Sequence, residues 1–157
     1  MATITTPKVI IKPKDLSYIG YYDFDSASVT SLTQNVWAKL NTTTTLRFSK
    51  GAFSHSNNRA TYTGSNTIIV FLQAICTVTT NSETQFHFAF FQDGVIIPCS
   101  EQNITTIKKG ANYYTNACPI HCMAELSQNN YIEVYIKNSE NNGDATLSNV
   151  NVMINEL

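Results

Sequence analysis

The sequence predicts an all-β protein folded as an antiparallel β-sandwich or barrel, and three observations support this prediction. The 157 residues include 20 Thr, 17 Asn, eight Tyr and eight Phe. Threonine and aromatic residues favour strands, whereas asparagine favours turns. Short segments of alternating apolar and polar residues follow one another from about residue 35. Turn-forming residues separate these segments, and no convincing amphipathic helix interrupts them.

Nine strands are expected in this part of the chain. They lie near residues 43–49, 58–63, 67–79, 85–92, 95–100, 103–108, 118–126, 131–138 and 145–156. In the eighth strand, Ile132, Val134 and Ile136 alternate with polar and aromatic residues, which indicates one face on a core. The pair Asp93-Gly94 is the strongest hairpin signal in the sequence. Strands at this spacing predict a sandwich or barrel in one domain.

The strand at 67–79 is apolar on both faces. Ile68, Val70 and Leu72 share one parity, while Ile69 and Phe71 have the other. A strand of this kind must be covered on both sides, and in an antiparallel sandwich a partner subunit often covers the second side. The sequence therefore predicts an oligomer.

Five residues are predicted to lie in the subunit interface. Phe71 and Phe91 belong to the second apolar face of their strands. Tyr131 and Tyr135 have the polar parity of a strand, and aromatic residues are enriched at buried interfaces. His121 joins them because a histidine near a threefold axis would occur three times, which could form an ion site or a pH-sensitive ring.

The segment ACPIHC, residues 117–122, is the one most suggestive of chemistry. Cys118, His121 and Cys122, with Cys99 as a fourth ligand, could supply a tetrahedral zinc site. On an extended strand, however, His121 and Cys122 point to opposite faces, and Cys118 lies about 13 Å from Cys122. Buried thiols beside an outward histidine are therefore the favoured interpretation, without metal or disulfide. The absence of an evident signal peptide also favours reduced thiols.

Composition disfavours several functional classes. The net charge is −1 with 13% charged residues, so no basic patch for nucleic acid is visible, and no apolar run is long enough to cross a membrane. The acids are scattered, with Glu125 and Glu133 at exposed strand positions. His87 is expected to be hydrogen-bonded on a strand and His55 to lie in a solvated loop. We therefore expect no catalytic residue, no metal site, no cofactor and no enzymatic activity.

Two further segments are candidates for contacts with other molecules. Residues 1–33, with Pro7 and Pro13, are predicted to be an extended arm for attachment that ends in a first short strand, and residues 34–157 to be the folded domain. A surface loop is expected to present a lysine and tyrosine cluster, made of Lys108, Lys109, Tyr113 and Tyr114. This loop is the best surface candidate for contacting a receptor, and the alternative is that its tyrosines pack on their own domain.

Residues 35–157 resemble a known family in their order of strands and turns. The resemblance rests on NRATYTG (58–64), which leads into the long apolar strand, and on LSQNNYIEV (126–134), with a final strand at the C-terminus. It is to the trimeric jelly-roll heads of the tumour necrosis factor (TNF) and complement-head superfamily, in particular to those of phage and large-virus structural proteins. Calcium-binding members have clustered acidic loops, for which Asp144 and Glu140 are too few.

The resemblance implies a homotrimeric jelly roll that acts as a virion structural protein. We expect a fibre head, capsid decoration or minor capsid protein, made in the host cytoplasm and located in the virion. Its expected partners are itself, other capsid or fibre proteins bound through the arm, and a host receptor or glycan. Two alternatives stay open: a non-viral carbohydrate-binding or complement-head-like recognition module, and a shell-forming jelly-roll capsid protein.

Overall fold

A computed structural model describes residues 15–24 and 28–157, and in these residues it contains strands and no helix. The strands are β1 (Tyr18–Phe24), β2 (Val29–Thr30), β3 (Ala38–Lys39), β4 (Thr45–Lys50), β5 (Phe53–His55), β6 (Arg59–Tyr62), β7 (Ile68–Thr80), β8 (Gln85–Gln92), β9 (Val95–Ile96), β10 (Gln102–Thr105), β11 (Ile107–Lys109), β12 (Asn112–Tyr114), β13 (Cys118–Leu126), β14 (Tyr131–Asn138) and β15 (Ala145–Glu156). They form two antiparallel sheets.

Sheet I has the strand order β11-β12-β7-β15-β1-β4, with β13 also paired to β7 and β2 to β15. Sheet II has the order β10-β8-β14-β6-β5, with β3 paired to β14 and β9 to β8. Neighbours in each sheet are mostly distant in sequence, so the chain passes repeatedly between the two sheets. The structure is thus the predicted antiparallel β-sandwich.

The core lies between the sheets and is filled by alternate residues of the long strands. Phe86, Phe88 and Phe90 of β8 are fully buried against sheet I, where Leu72 and Ile154 have no exposed surface. Burying a side chain of this kind contributes about 1.5–3 kcal/mol relative to leaving it exposed. The inward parity of β7, β8, β14 and β15 therefore explains most of the driving force for folding.

The motif at residues 58–64 connects the strands around this core. Asn58 is fully buried with φ of 43°, and its side-chain amide donates to the carbonyls of Leu40 (3.1 Å) and Val134 (3.3 Å). At the other end, a Cβ on Gly64 would lie 2.2 Å from the hydroxyl oxygen of Tyr62, so only glycine fits beside that ring. The motif therefore fixes the entry into β7.

Several predicted boundaries are confirmed. The strands at 85–92, 118–126, 131–138 and 145–156 have the predicted limits. Asp93 and Gly94 have φ values of 52° and 80°, the left-handed conformations that a tight two-residue hairpin requires.

Other predicted strands are shorter or divided. The segment 95–100 contains only β9, because Pro98 has no amide hydrogen and Cys99 has a φ of 66°. The segment 103–108 divides at Thr106, which exchanges hydrogen bonds with Thr84, and its halves join different sheets as β10 and β11.

Part of the predicted arm belongs to the sandwich. β1 pairs with β15 from the Tyr18–Asn155 pair to the Phe24–Asn149 pair, and it pairs with β4 on its other side. Residues 1–14 and 25–27 lie outside the described residues. An attachment role for residues 1–33 stays a prediction.

The part of the chain that the structure describes has no helix that is long and apolar enough to cross a membrane.

Candidate subunit interface

The outer face of sheet I is rich in exposed apolar side chains, and we call it the apolar face. Strand pairing brings its members into three rows across the sheet, because directly opposite residues point the same way. The first row is Phe48, Gly20, Met153, Gln73 and His121. The second is Lys50, Tyr18, Asn155, Phe71 and Met123, and the third is Thr45, Tyr22, Asn151, Ile75 and Pro119.

The exposure of these side chains is high for apolar groups. Met123 is 64% exposed, Ile75 45%, and Ile69 at the end of β7 54%. The residues that β15, β7 and β13 contribute to the three rows include no Asp, Glu, Lys or Arg. The three rows thus form a largely apolar surface, interrupted by Gln73, Asn151 and Asn155, and exposed apolar area of this extent is typical of sites of protein association.

A shallow cavity of about 330 Å³ lies between β7 and β13, toward one edge of the apolar face. Its lining residues are Phe71, Gln73, Ala74, Ile75, Pro119, Ile120 and His121. The ring centroids of Phe71 and His121 are 6.3 Å apart. The cavity makes this face concave, so a side chain of a second molecule can insert there.

The outer face of sheet II differs because it carries a buried carboxylate, Glu133, with charged partners within the chain. Glu133 is 1% exposed, although an exposed position was expected, and this expectation was wrong. One carboxylate oxygen accepts from Lys39 Nζ (2.5 Å) and Arg59 Nε (2.7 Å), and Tyr135 donates to the other at 3.4 Å. A carboxylate that is paired in this way can be buried on the outer face of a sheet.

Aromatic rings pack on the outer face of sheet II beside this carboxylate. Phe91 stacks on Tyr135 with centroids 4.0 Å apart, and Trp37 contacts Phe91 edge-on at 5.5 Å. The guanidinium of Arg59 lies 3.9 Å from the ring centroid of Tyr131. These contacts leave Phe91 only 6% exposed, so the chain itself supplies the cover that its sequence requires.

The far end of the same face carries a second charged cluster. Glu101 contacts His87 Nδ1 at 2.7 Å and accepts from Lys137 Nζ at 3.0 Å, as expected for a hydrogen-bonded His87. Partial burial raises the pKa of Glu101, but the hydrogen bonds from Lys137 and His87 lower it by more. The pKa of Glu101 therefore lies below its ordinary value.

The five predicted interface residues therefore separate onto opposite sides of the sandwich. Phe71 and His121 lie together on the apolar face, while Phe91, Tyr131 and Tyr135 lie on the outer face of sheet II. The structure does not bring the two groups together. Alternation along a strand identified both sets as outward, but the cover over sheet II comes from residues far away in sequence.

The segment 117–122 has the predicted strand parity. Cys118 and Ile120 point into the core, whereas His121 is exposed. Among the described residues, no group of three or more His, Cys, Asp and Glu side chains is placed to hold a metal ion. His55, in contrast, is half-buried at the end of β5 and does not lie in a solvated loop, so that expectation was wrong.

The lysine and tyrosine cluster lies on a hairpin at the edge of sheet I. Lys108 is opposite Tyr113, and its Nζ lies 5.9 Å from the centroid of that ring. Gly110 provides the turn with φ of 65°. Tyr113 and Tyr114 are half-buried and pair with β7, so the hairpin continues the sheet. Receptor binding by Lys108, Lys109, Tyr113 and Tyr114 stays a prediction.

Comparison with known proteins places this geometry in a structural class. No protein-family model matches the chain, and no curated protein sequence matches it. Among solved structures, it is similar to murine APRIL at pH 8.0, with a TM-score of 0.58 and 14% identity over 90% of this chain and 99% of that one. It is also similar to Eiger TNF from S. frugiperda, with a TM-score of 0.57 and 4% identity over 92% and 94% of the two chains.

A viral protein has the same architecture. The chain is similar to PRD1 vertex protein P5, with a TM-score of 0.51 and 9% identity over 92% of this chain and 99% of that one. At these identities the likeness concerns the fold. The chain is a jelly-roll β-sandwich of the TNF-like class, as predicted.

Proposed function

We propose that this chain is a virion structural protein that assembles as a homotrimer through the apolar face. It would serve as a fibre head, a capsid decoration or a minor capsid protein. The observation that carries the assembly is the contrast between the two outer faces: sheet II has its own cover, whereas sheet I exposes apolar rows. The similarity to a phage vertex protein supports the viral role.

The proposed work of this molecule is assembly and binding, without a catalytic step. Apolar area removed from water contributes roughly 25 cal/mol per Å², so a subunit that covers the apolar face gains stability with no specific chemistry. The loops away from the interface would contact a host surface or a neighbouring capsid protein. The N-terminal segment would attach the trimer to other virion proteins.

The mass in solution tests the assembly. By light scattering after gel filtration, the protein should have three times the 17.5 kDa mass of one chain. Met123→Lys places a charge on the apolar face. This variant should have the mass of a monomer by light scattering and should be folded by circular dichroism. Val95→Lys is the matched control, because Val95 is 69% exposed but lies on the hairpin of sheet II, and it should leave the trimer intact. A monomeric wild-type protein would overturn the proposal.

A second measurement tests the viral role. Peptides of this chain should co-sediment with nuclease-treated particles purified from cultures of its source, as detected by mass spectrometry. Recovery in the particle-free fraction alone would contradict a virion location. Electron microscopy of the purified protein separates the alternatives, because closed particles would indicate a shell-forming capsid protein.

A further inference from the structure

Two of the four cysteines face each other inside the sandwich. Cys118, the first residue of β13, is directly opposite Cys76 of β7 in the antiparallel register. Both side chains point into the core, with Cys76 fully buried and Cys118 2% exposed. Neither thiol contributes to the apolar face or to the outer face of sheet II.

The register brings the two side chains within reach of a covalent bond. Directly opposite residues of an antiparallel pair have Cα atoms about 4.5–5.5 Å apart and side chains on the same face. A disulfide requires Cα atoms about 4.4–6.8 Å apart. In contrast, the Cys118 and Cys122 pair considered from the sequence lies along one strand and is too far apart.

We propose that Cys76 and Cys118 form a cross-strand disulfide when the protein folds under oxidising conditions, and that this bond fixes β13 to β7. The proposal does not depend on the virion role. In the described residues β13 pairs with β7 alone within sheet I, so the bond would secure a strand held by one neighbour.

The oxidation needs a small disulfide oxidant such as oxidised glutathione. The thiolate of one cysteine attacks the oxidant, forms a mixed disulfide and releases one molecule of reduced glutathione. The thiolate of the other cysteine then displaces the second glutathione. In total the two cysteine thiols lose two electrons and two protons, and one glutathione disulfide becomes two thiols.

Burial determines when this reaction occurs. It raises the pKa of Cys118 to about 11, and it raises that of Cys76 well above its usual range, with a smaller contribution from the nearby Cys118. Because the thiolate is the reacting species, both groups are unreactive once the sheets have packed. The bond should therefore form while β7 and β13 are still accessible, and the folded reduced protein should resist oxidation.

The bond would also stiffen the apolar face. Beside the two cysteines, the neighbouring residues Ile75 and Pro119 are opposite each other and point outward. Fraying of β13 from β7 would separate this pair. A disulfide limits that motion and restricts the unfolded chain, so the oxidised form should melt at a higher temperature, by roughly 5–15 °C.

The test uses a double variant, C99A/C122A, in which only Cys76 and Cys118 remain. It removes a competing pair, since Cys122 is close enough to Cys99 for the two to interact electrostatically. After refolding in a mixture of reduced and oxidised glutathione, the variant should be lighter by two hydrogen atoms and should contain no alkylatable thiol. The same protein, reduced and folded before exposure to that mixture, is the control and should keep both thiols.

The wild-type protein provides a readout that needs no substitution. After refolding in the same mixture, a proteolytic digest should contain a peptide pair that joins Cys76 to Cys118 and separates on reduction. Two free thiols at these positions, or glutathione bound to either of them, would overturn the proposal.

Discussion

His55 is a histidine whose partly buried position favours its neutral form. The hydroxyl of Thr44 accepts from the backbone N–H of Asn58 at 2.8 Å and lies 2.7 Å from His55 Nε2. The imidazole also packs against the ring of Tyr21, with centroids 4.7 Å apart. Burial lowers the pKa of His55, because the charged form loses hydration.

This environment predicts a loss of stability in mild acid. The unfolded chain binds a proton at the ordinary histidine pKa of about 6.5, while the folded protein binds it at a lower pH. The free energy of unfolding should therefore decrease as the pH falls from about 7 to 5, because protonation of His55 favours the unfolded chain. Urea unfolding at several pH values measures this decrease.

His55→Gln is the informative comparison, because glutamine keeps a hydrogen-bonding side chain without titrating. The variant should be less stable than wild type at pH 7.5, and the difference should narrow by pH 5. Parallel curves for the two proteins would exclude His55 as the source. Glu101 contributes in a separate pH range. Because its pKa is lowered in the folded protein, its contribution to the free energy of unfolding is lost only at more acidic pH.

Single residues also show where sequence reasoning reaches its limit. Glu133 has the polar parity of β14, and that parity correctly places it on the outer face of a sheet. Its burial depends on Lys39 and Arg59, which are 94 and 74 residues away in sequence. Periodicity shows which way a side chain points, but it cannot show what folds over it.

The pairing of β1 with β4 depends on a glycine. A Cβ on Gly20 would lie 2.6 Å from the ring of Phe48, which crosses the backbone of β1 on the apolar face. Gly20→Ala should therefore displace this ring and destabilise the protein by about 1–2 kcal/mol. Phe48 is already 37% exposed. Phe48→Ala alone should therefore lower the free energy of unfolding by less than the loss of a fully buried ring would.

A double-mutant cycle separates this clash from other effects. In G20A/F48A the ring is gone, so the alanine at position 20 should cost little, and the coupling energy from chemical denaturation should be about 1 kcal/mol. Additive effects of the two substitutions would mean that Gly20 is needed for another reason.

Elements differ in how clearly their sequences encode them. β8 and β14 were predictable to the residue, because their regularly spaced inward residues end at turn-forming residues on both sides. β5 and β12 have three residues each, too few for a period, and they exist because β6 and β7 offer them a partner. The division between β10 and β11 is likewise tertiary, since it depends on the hydrogen bonds between Thr106 and Thr84.

At the scale of the whole molecule, the excess of apolar residues has two different outcomes. The second apolar face of β8 is covered within the chain, by Trp37 and Tyr135 over Phe91. The second apolar face of β7 stays exposed. The sequence predicts that both strands need cover on two sides. The fold supplies this cover for β8, and for β7 we propose that a second subunit supplies it.

The exposed second face of β7 predicts that the stability of the protein depends on its concentration. If unfolding is coupled to dissociation of a trimer, a hundredfold dilution removes about 1.8 kcal/mol per chain by mass action. For a chain of this size, the melting temperature should decrease by roughly 4–7 °C. Met123→Lys should melt at a temperature independent of concentration, whereas Val95→Lys should follow wild type. Equal melting temperatures for wild type at all concentrations would mean that the apolar face contributes no stability through association.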